Sequence, residues 1–159
     1  MTIVLRAAIY EDYEDACALY EQLDRLHSQA LPNFFHPVEG PARSRERFAE
    51  LLANEDAALF VAEQQGDLVG LVFGYVRTTP PVPMVVPRRF VQVDELVVSE
   101  YVRHQGAGQL LMERVHQWAR EQGVTEIELD VWEFPASALA FYEKLGYQTT
   151  RRHMRKQLS

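Results

Sequence analysis

Apolar and polar positions divide this 159-residue chain into short strands and one-faced helices. Ile3–Ala7 reads as a short strand. From Glu11 to Ser28 the residues Tyr13, Ala16, Cys17, Tyr20, Leu23 and His27 recur at helical spacing, which predicts an amphipathic helix. Leu31-Pro32 and His36-Pro37 end it, because a residue before proline is pushed out of the α region. A second helix is predicted over Ala42–Ala53, with Phe48, Leu51 and Leu52 inward. Ala57–Glu63 and Leu68–Arg77 are β-rich, and Gln64-Gln65-Gly66-Asp67 between them reads as a hairpin turn. Four prolines between Thr78 and Pro87 demand a loop or an extended edge.

The second half alternates more regularly. Phe90–Val98 reads as a strand, and Gly106–Gln122 as a helix with Leu111, Val115, Trp118 and Ala119 on one face. Thr125–Val131 is a strand with Ile127, Leu129 and Val131 on one side and charges on the other. A short helix is predicted over Ala136–Leu145, stopped by Gly146, with Pro135 as its first residue. A last strand starts near Tyr147, and Arg151–Lys156 supplies its charged outward positions. The order βααβββαβαβ predicts a mixed α/β sheet closed by two right-handed strand–helix–strand units.

Composition narrows the setting. One chain of this length is one domain, residues 1–159, by the usual ~100–200 residues per domain, and 47% hydrophobic with 25% charged residues is globular usage. No apolar run reaches the ~18 residues of a membrane span, and the first residues lack a signal peptide's apolar stretch. A soluble cytoplasmic domain is expected. Cys17 is the single cysteine, so neither an internal disulfide nor a cysteine-based zinc site is expected. Residues 1–67 hold 13 Asp/Glu against 5 Lys/Arg, and residues 68–159 hold 10 against 11. With no basic stripe, nucleic acid is not an expected partner. The acidic first half either forms solvated helix faces or favours a cationic ligand.

Chemistry concentrates in VDELVVSEYVRHQGAGQLL, residues 93–111, where a strand runs through Arg103-His104-Gln105-Gly106-Ala107-Gly108 into a helix. Glycines at such a turn let backbone N–H groups face outward beside the positive end of a helix, which suits phosphates. A Walker loop is excluded because no Gly-Lys-Ser/Thr follows. A dinucleotide fingerprint is excluded because Leu111 stands where it needs a small residue. A capped glycine turn with no ligand is the simplest alternative. About 30 residues on comes VWEFPASALAFYEKLGY, residues 131–147. Arg-x-x-Gly-x-Gly after an acidic–hydrophobic strand, followed by Ala-x-x-Phe-Tyr-Glu-Lys-Leu-Gly-Tyr, resembles the GNAT superfamily of acyl-CoA-dependent N-acyltransferases. The two motifs cover residues 91–147.

The resemblance implies a GNAT-like, mostly antiparallel central sheet flanked by helices, with the fourth and fifth strands splayed apart. It implies acetyl-CoA as co-substrate, a primary amine acceptor, and direct transfer that needs no metal. Arg103, His104, Gln105, Gly106, Ala107, Gly108 and Gln109 would wrap the coenzyme pyrophosphate. Leu96, Val97 and Val98 would line its pantetheine arm, with the free groups of Leu96 and Val98 bonding to it. Tyr142 would stand by the thioester sulfur, and Asp94 or Glu95 would take the acceptor's proton. Many members carry Asn at the position of Pro135, so one coenzyme contact departs from the pattern.

Plainer roles compete at each position. Tyr142 could be a core tyrosine bonded to a carbonyl, and Arg103 a strand-end cap. Adjacent Asp94 and Glu95 should point to opposite faces of a regular strand, so one at most would face the cleft. His104 and His116 read as solvated, His27 and His36 as candidates for an acceptor pocket, and Cys17 as a small core residue. A sensor that binds acyl-CoA without transfer is the competing class: Pro135 favours it, the intact turn and Tyr142 favour the enzyme. Whether the acceptor is a metabolite or a protein, and whether the chain is a monomer or a homodimer, stay open.

Overall fold

A computed structural model describes residues 2–159. Five strands, β1 (Ile3–Ala7), β2 (Ala57–Gln64), β3 (Asp67–Thr78), β4 (Arg89–Val98) and β5 (Ile127–Leu129), lie side by side in sequence order. The first four pair antiparallel, and β5 joins β4 in parallel. Four helices cover the sheet: α1 (Tyr13–Ala30), α2 (Arg45–Ala53), α3 (Ala107–Glu121) and α4 (Leu139–Lys144).

Two apolar layers hold the helices to it. On one face Leu111, Met112, Val115 and Trp118 of α3 pack with Val91 and Val93 of β4 and Tyr142 of α4. On the other, Tyr13, Ala16, Leu19 and Tyr20 of α1 and Phe48 of α2 pack with Leu71, Phe73 and Val97. Burial of such side chains stabilises by roughly 1.5–3 kcal/mol each, and the amphipathic spacing of α1 and α3 is its sequence counterpart. The β2–β3 turn is two residues, Gln65 at φ +53° and Gly66 at φ +85°. Positive φ at both is what a right-twisted hairpin requires.

Two local features shape the site. The β3–β4 register slips at Asp94, because Phe73 pairs with Glu95 and Gly74 with Val93. The β4–β5 ladder runs only from Val91/Ile127 to Val93/Leu129. Beyond it the two strands part.

Several expected boundaries move. α1 begins two residues late, behind a 3-10 turn (Tyr10–Asp12) fixed by Arg6, whose guanidinium donates to both oxygens of Asp12 at 2.8 Å. α2 begins at Arg45, where the Ser44 hydroxyl accepts from Arg47 N–H. Pro135 is not the first residue of a helix. It is the second residue of a turn closed by Ser137 N–H to Phe134 O at 3.0 Å, and α4 starts later. The last strand expected from Tyr147 does not pair. Gly146 (φ +94°) turns the chain, Tyr147 N–H returns to Tyr142 O at 3.1 Å, and residues 148–159 are exposed at every position. Thr150 and Arg151 line an open cleft of about 510 Å³ together with Arg88, Glu126, Ile127 and Glu128, and no ladder forms between them.

Candidate active site

The gap left by β5 exposes one edge of β4. Ser99 N–H donates to Val69 O at 2.8 Å, and hydrogen-bonded pairs alternate along an antiparallel ladder. Val97 and Glu95 therefore turn their N–H and C=O groups toward β3, opposite Leu71 and Phe73. Leu96 and Val98 turn theirs into the gap. Val97 instead buries its side chain under α1, so the edge facing the gap is that of Leu96 and Val98.

At the end of this strand the chain makes the predicted turn. His104 (φ +65°) and Gly106 (φ +87°) are left-handed on either side of Gln105, and Gly106 caps α3. Such alternation points successive N–H groups to one side as a concave anion site. The first helical acceptor is filled by Leu110 N–H, which donates to Gly106 O at 3.0 Å, so the amides of Ala107, Gly108 and Gln109 precede the ladder. Gln105 is tied down by its side-chain carbonyl, which accepts from Gln64 Nε2 at 3.1 Å. A Cβ on Gly106 would meet nothing within 4 Å, whereas one on Gly108 would sit 3.3 Å from Phe141 and 3.6 Å from Val98. Gly108 thus serves the seating of α4 against α3 and β4, and Gly106 lies on the open side.

Tyr142 projects from α4, 9% exposed, with its ring edge-on to Tyr147 at 5.7 Å and to Phe141 at 5.2 Å. Among the described residues its hydroxyl makes no hydrogen bond to a carbonyl, and burial pushes its pKa up to about 12.

The bulge corrects the expectation for the acidic pair. Val93 and Leu96 pack on the α3 side and Val97 on the α1 side, so the extra residue puts Asp94 and Glu95 together on the α1 side. Glu95 accepts from Arg43 Nη2 at 2.6 Å. Arg43 also donates to Asp24 at 2.8 Å and lies 4.1 Å over the Tyr20 ring. Burial pushes the Glu95 carboxyl up from its ordinary value and Arg43 holds it back, the net being upward. Asp94 is also raised, by burial, against the pull of Arg77. The Tyr20 hydroxyl is buried with no partner among the described residues and is raised by burial and by Glu95.

His27 stacks on Phe35 at 5.2 Å beside this cluster, its pKa lowered by burial. Phe35 and Phe34 both pack on Trp132, just past β5. His36 touches only the Pro37 carbonyl among the described side-chain bonds. His116, expected to be solvated, is half-buried and bonded through Nε2 to the Tyr147 hydroxyl at 2.7 Å. Tyr20, Asp24 and Arg43 were not singled out in the sequence. No local pattern marks them, because they converge on Glu95 of β4 from α1 and from the loop before α2.

A five-stranded, mostly antiparallel sheet whose β4 and β5 share only a three-residue parallel ladder is the fold that the sequence resemblance implies. Comparison with known proteins agrees. The Acetyltransferase (GNAT) family model matches residues 23–147. N-acetyltransferase family 8 member 2 of Rattus norvegicus is 34% identical over 97 residues, 61% of this chain and 41% of that one. Human N-acetyltransferase 8 is 31% identical over 99 residues, 62% of this chain and 42% of that one. The chain thus spans under half the length of these relatives. The solved structure of the tetramutant of BH1408 protein from Bacillus halodurans superposes with a TM-score of 0.91 at 26% identity, covering 98% of this chain and 99% of that one. The chain belongs to the GNAT acetyltransferase family.

Proposed function

We propose that the protein transfers an acetyl group from acetyl-CoA to a primary amine by direct attack within a ternary complex. The observation that carries this reading is the parting of β4 from β5 after Val93, with Leu96 and Val98 facing the gap and the α3 amides at its end. A pantetheine arm has the amides to pair with that edge as an added strand does. The pyrophosphate it carries suits the amides of residues 104–109.

The acceptor comes from the α1 side. An amine near its ordinary pKa of ~10.4 arrives protonated and attacks only after losing that proton. Glu95 receives it, directly or through one water. Its raised affinity for protons makes it a better base than a surface carboxylate. As the amine adds to the thioester carbonyl, the oxygen gains charge, which strand amides in the gap stabilise. The C–S bond then breaks and the electron pair leaves on sulfur. The Tyr142 hydroxyl, at about 12, is some 3.5 units less acidic than an ordinary thiol at ~8.5. Its role is a hydrogen bond to the developing thiolate, with proton delivery late or by water.

The acceptor's charge follows from the same cluster. Asp24 and Glu95 share one Arg43, which leaves a net negative site under the acidic first half of the chain. A cationic amine, such as a polyamine, an aminoglycoside or a basic peptide, fits it.

The test is a thiol-release screen of acetyl-CoA against amines and peptides, with mass spectrometry of the product. Transfer that requires both substrates and adds one acetyl group to an amine is expected. Saturable coenzyme binding with no turnover on any amine would replace this reading with the acyl-CoA sensor.

A further inference from the structure

The turn that opens α3 draws little support from its own backbone. Among the described residues, no backbone N–H from Arg103 to Gln109 has a hydrogen-bond partner. Burial fixes the two ends of the turn, with Val102 9% exposed and Ala107 1%. Between them Arg103, His104, Gln105 and Gly106 lie on the surface. His104 stands there at φ +65°, a left-handed conformation that a residue with a Cβ holds only at a cost and under constraint.

A side-chain tie supplies that constraint. Among the described residues, the only side-chain hydrogen bond made by residues 103–105 joins Gln105 to Gln64, whose Nε2 donates to Gln105 Oε1 at 3.1 Å. Gln64 is placed as an anchor. It ends β2, with its backbone paired to Ile3 on one side and Asp67 on the other. Alternation with Phe60 and Ala62, which pack on the α3 side, sends its side chain the same way. There it is 7% exposed, and an amide at such a depth is costly to leave unpaired. Gln64 makes no other side-chain hydrogen bond among the described residues, so its amide serves the turn alone.

We propose that Gln64 is a positioning residue for the coenzyme: through Gln105 it holds the turn in its anion-binding shape before the pyrophosphate arrives. This rests on the reading of residues 104–109 as the place of the pyrophosphate. The free amides then need no reordering on binding. A loop already set in its bound shape binds more tightly, because less conformational freedom is lost when the ligand docks. Gln64 acts through Gln105 and not on the ligand, so its removal weakens coenzyme binding and leaves the chemical step alone.

Titration calorimetry with CoA and with pantetheine, which lacks the pyrophosphate, tests this. Wild type should bind CoA more tightly than pantetheine. Gln64→Leu keeps the bulk of the side chain and removes the tie, so the Kd for CoA should rise about 3–10-fold, the scale of one hydrogen bond. Gln105→Ala should do the same, and because that side chain is exposed it tests the tie even where Gln64→Leu does not fold. In the Gln105→Ala background, Gln64→Leu should add less than about 2-fold. Backbone NMR order parameters of residues 104–106 in the free protein should drop from ~0.85 toward ~0.6 in either variant. A general loss of stability would not confine that change to the turn. Wild type that binds both ligands equally would overturn the pyrophosphate reading and this proposal with it. A wild type that prefers CoA, with variants that bind it as tightly, lose affinity additively or keep a rigid turn, would overturn the tie alone.

Discussion

Tyr142 and Glu95 carry the proposed chemistry at the scale of single residues, and they differ in how readable they were. Tyr142 sits in a motif with fixed spacing from a glycine turn, so its position on a short helix could be expected from sequence. Glu95 was named together with Asp94, but regular alternation cannot foresee a bulge, and only the bulge puts both on one face. Tyr142→Phe keeps the ring between Phe141 and Tyr147 and removes one hydroxyl. Coenzyme affinity and KM should hardly change while kcat falls about 10–100-fold, the signature of a contact made only in the transition state. Full kcat with chemistry rate-limiting would assign the hydroxyl to structure. For Glu95, burial raises the pKa and Arg43 restrains it. Arg43→Gln removes the restraint, so the acid limb of kcat/KM should move to higher pH. Glu95→Gln should abolish that limb and cost about 10²-fold or more in rate. A limb that stays in place in Arg43→Gln would point to another base.

Strands and helices were legible wherever apolar residues repeat over ten or more positions, as in α1 and α3. They were less so where tertiary contacts decide. Pro135 could open a helix, but the Phe134–Ser137 turn claims it, and the segment after Tyr147 reads as a strand although it joins no ladder. The first turn before α1 depends on such a contact as well. Arg6 holds the Asp12 carboxyl below its ordinary 3.8, and Ile9 N–H adds to the effect. Because the folded-state value is depressed, this stabilisation is complete above 3.8 and is lost as pH falls through the folded value. Asp12→Asn should cost about 1.5–3 kcal/mol near neutral pH, the scale of hydrogen bonds to charged groups. The deficit should fade below pH 3.8. Denaturation midpoints of both proteins across pH check this, and a deficit independent of pH would contradict it.

Charge and the splayed sheet act on the whole molecule. The excess of carboxylates in residues 1–67 could have been only solvated helix surface. Asp12 and Glu63 are instead engaged by Arg6, and Asp24 by Arg43, and the Asp24 side joins the site. Steering of a cationic acceptor should weaken as the screening length shrinks to ~8 Å at 0.15 M. Accordingly kcat/KM for the acceptor should fall with salt while that for a neutral analogue stays level. Equal salt responses would remove the electrostatic account of the acceptor.

The placement of coenzyme A can be read amide by amide from heteronuclear NMR spectra during its titration. The largest shifts should fall on Leu96, Val98 and residues 104–109, with the side chain of Tyr142 responding and the β1–β2 pair nearly still. Shifts centred on the His116–Tyr147 cleft, or none along β4, would contradict the gap between β4 and β5 as the place where transfer occurs.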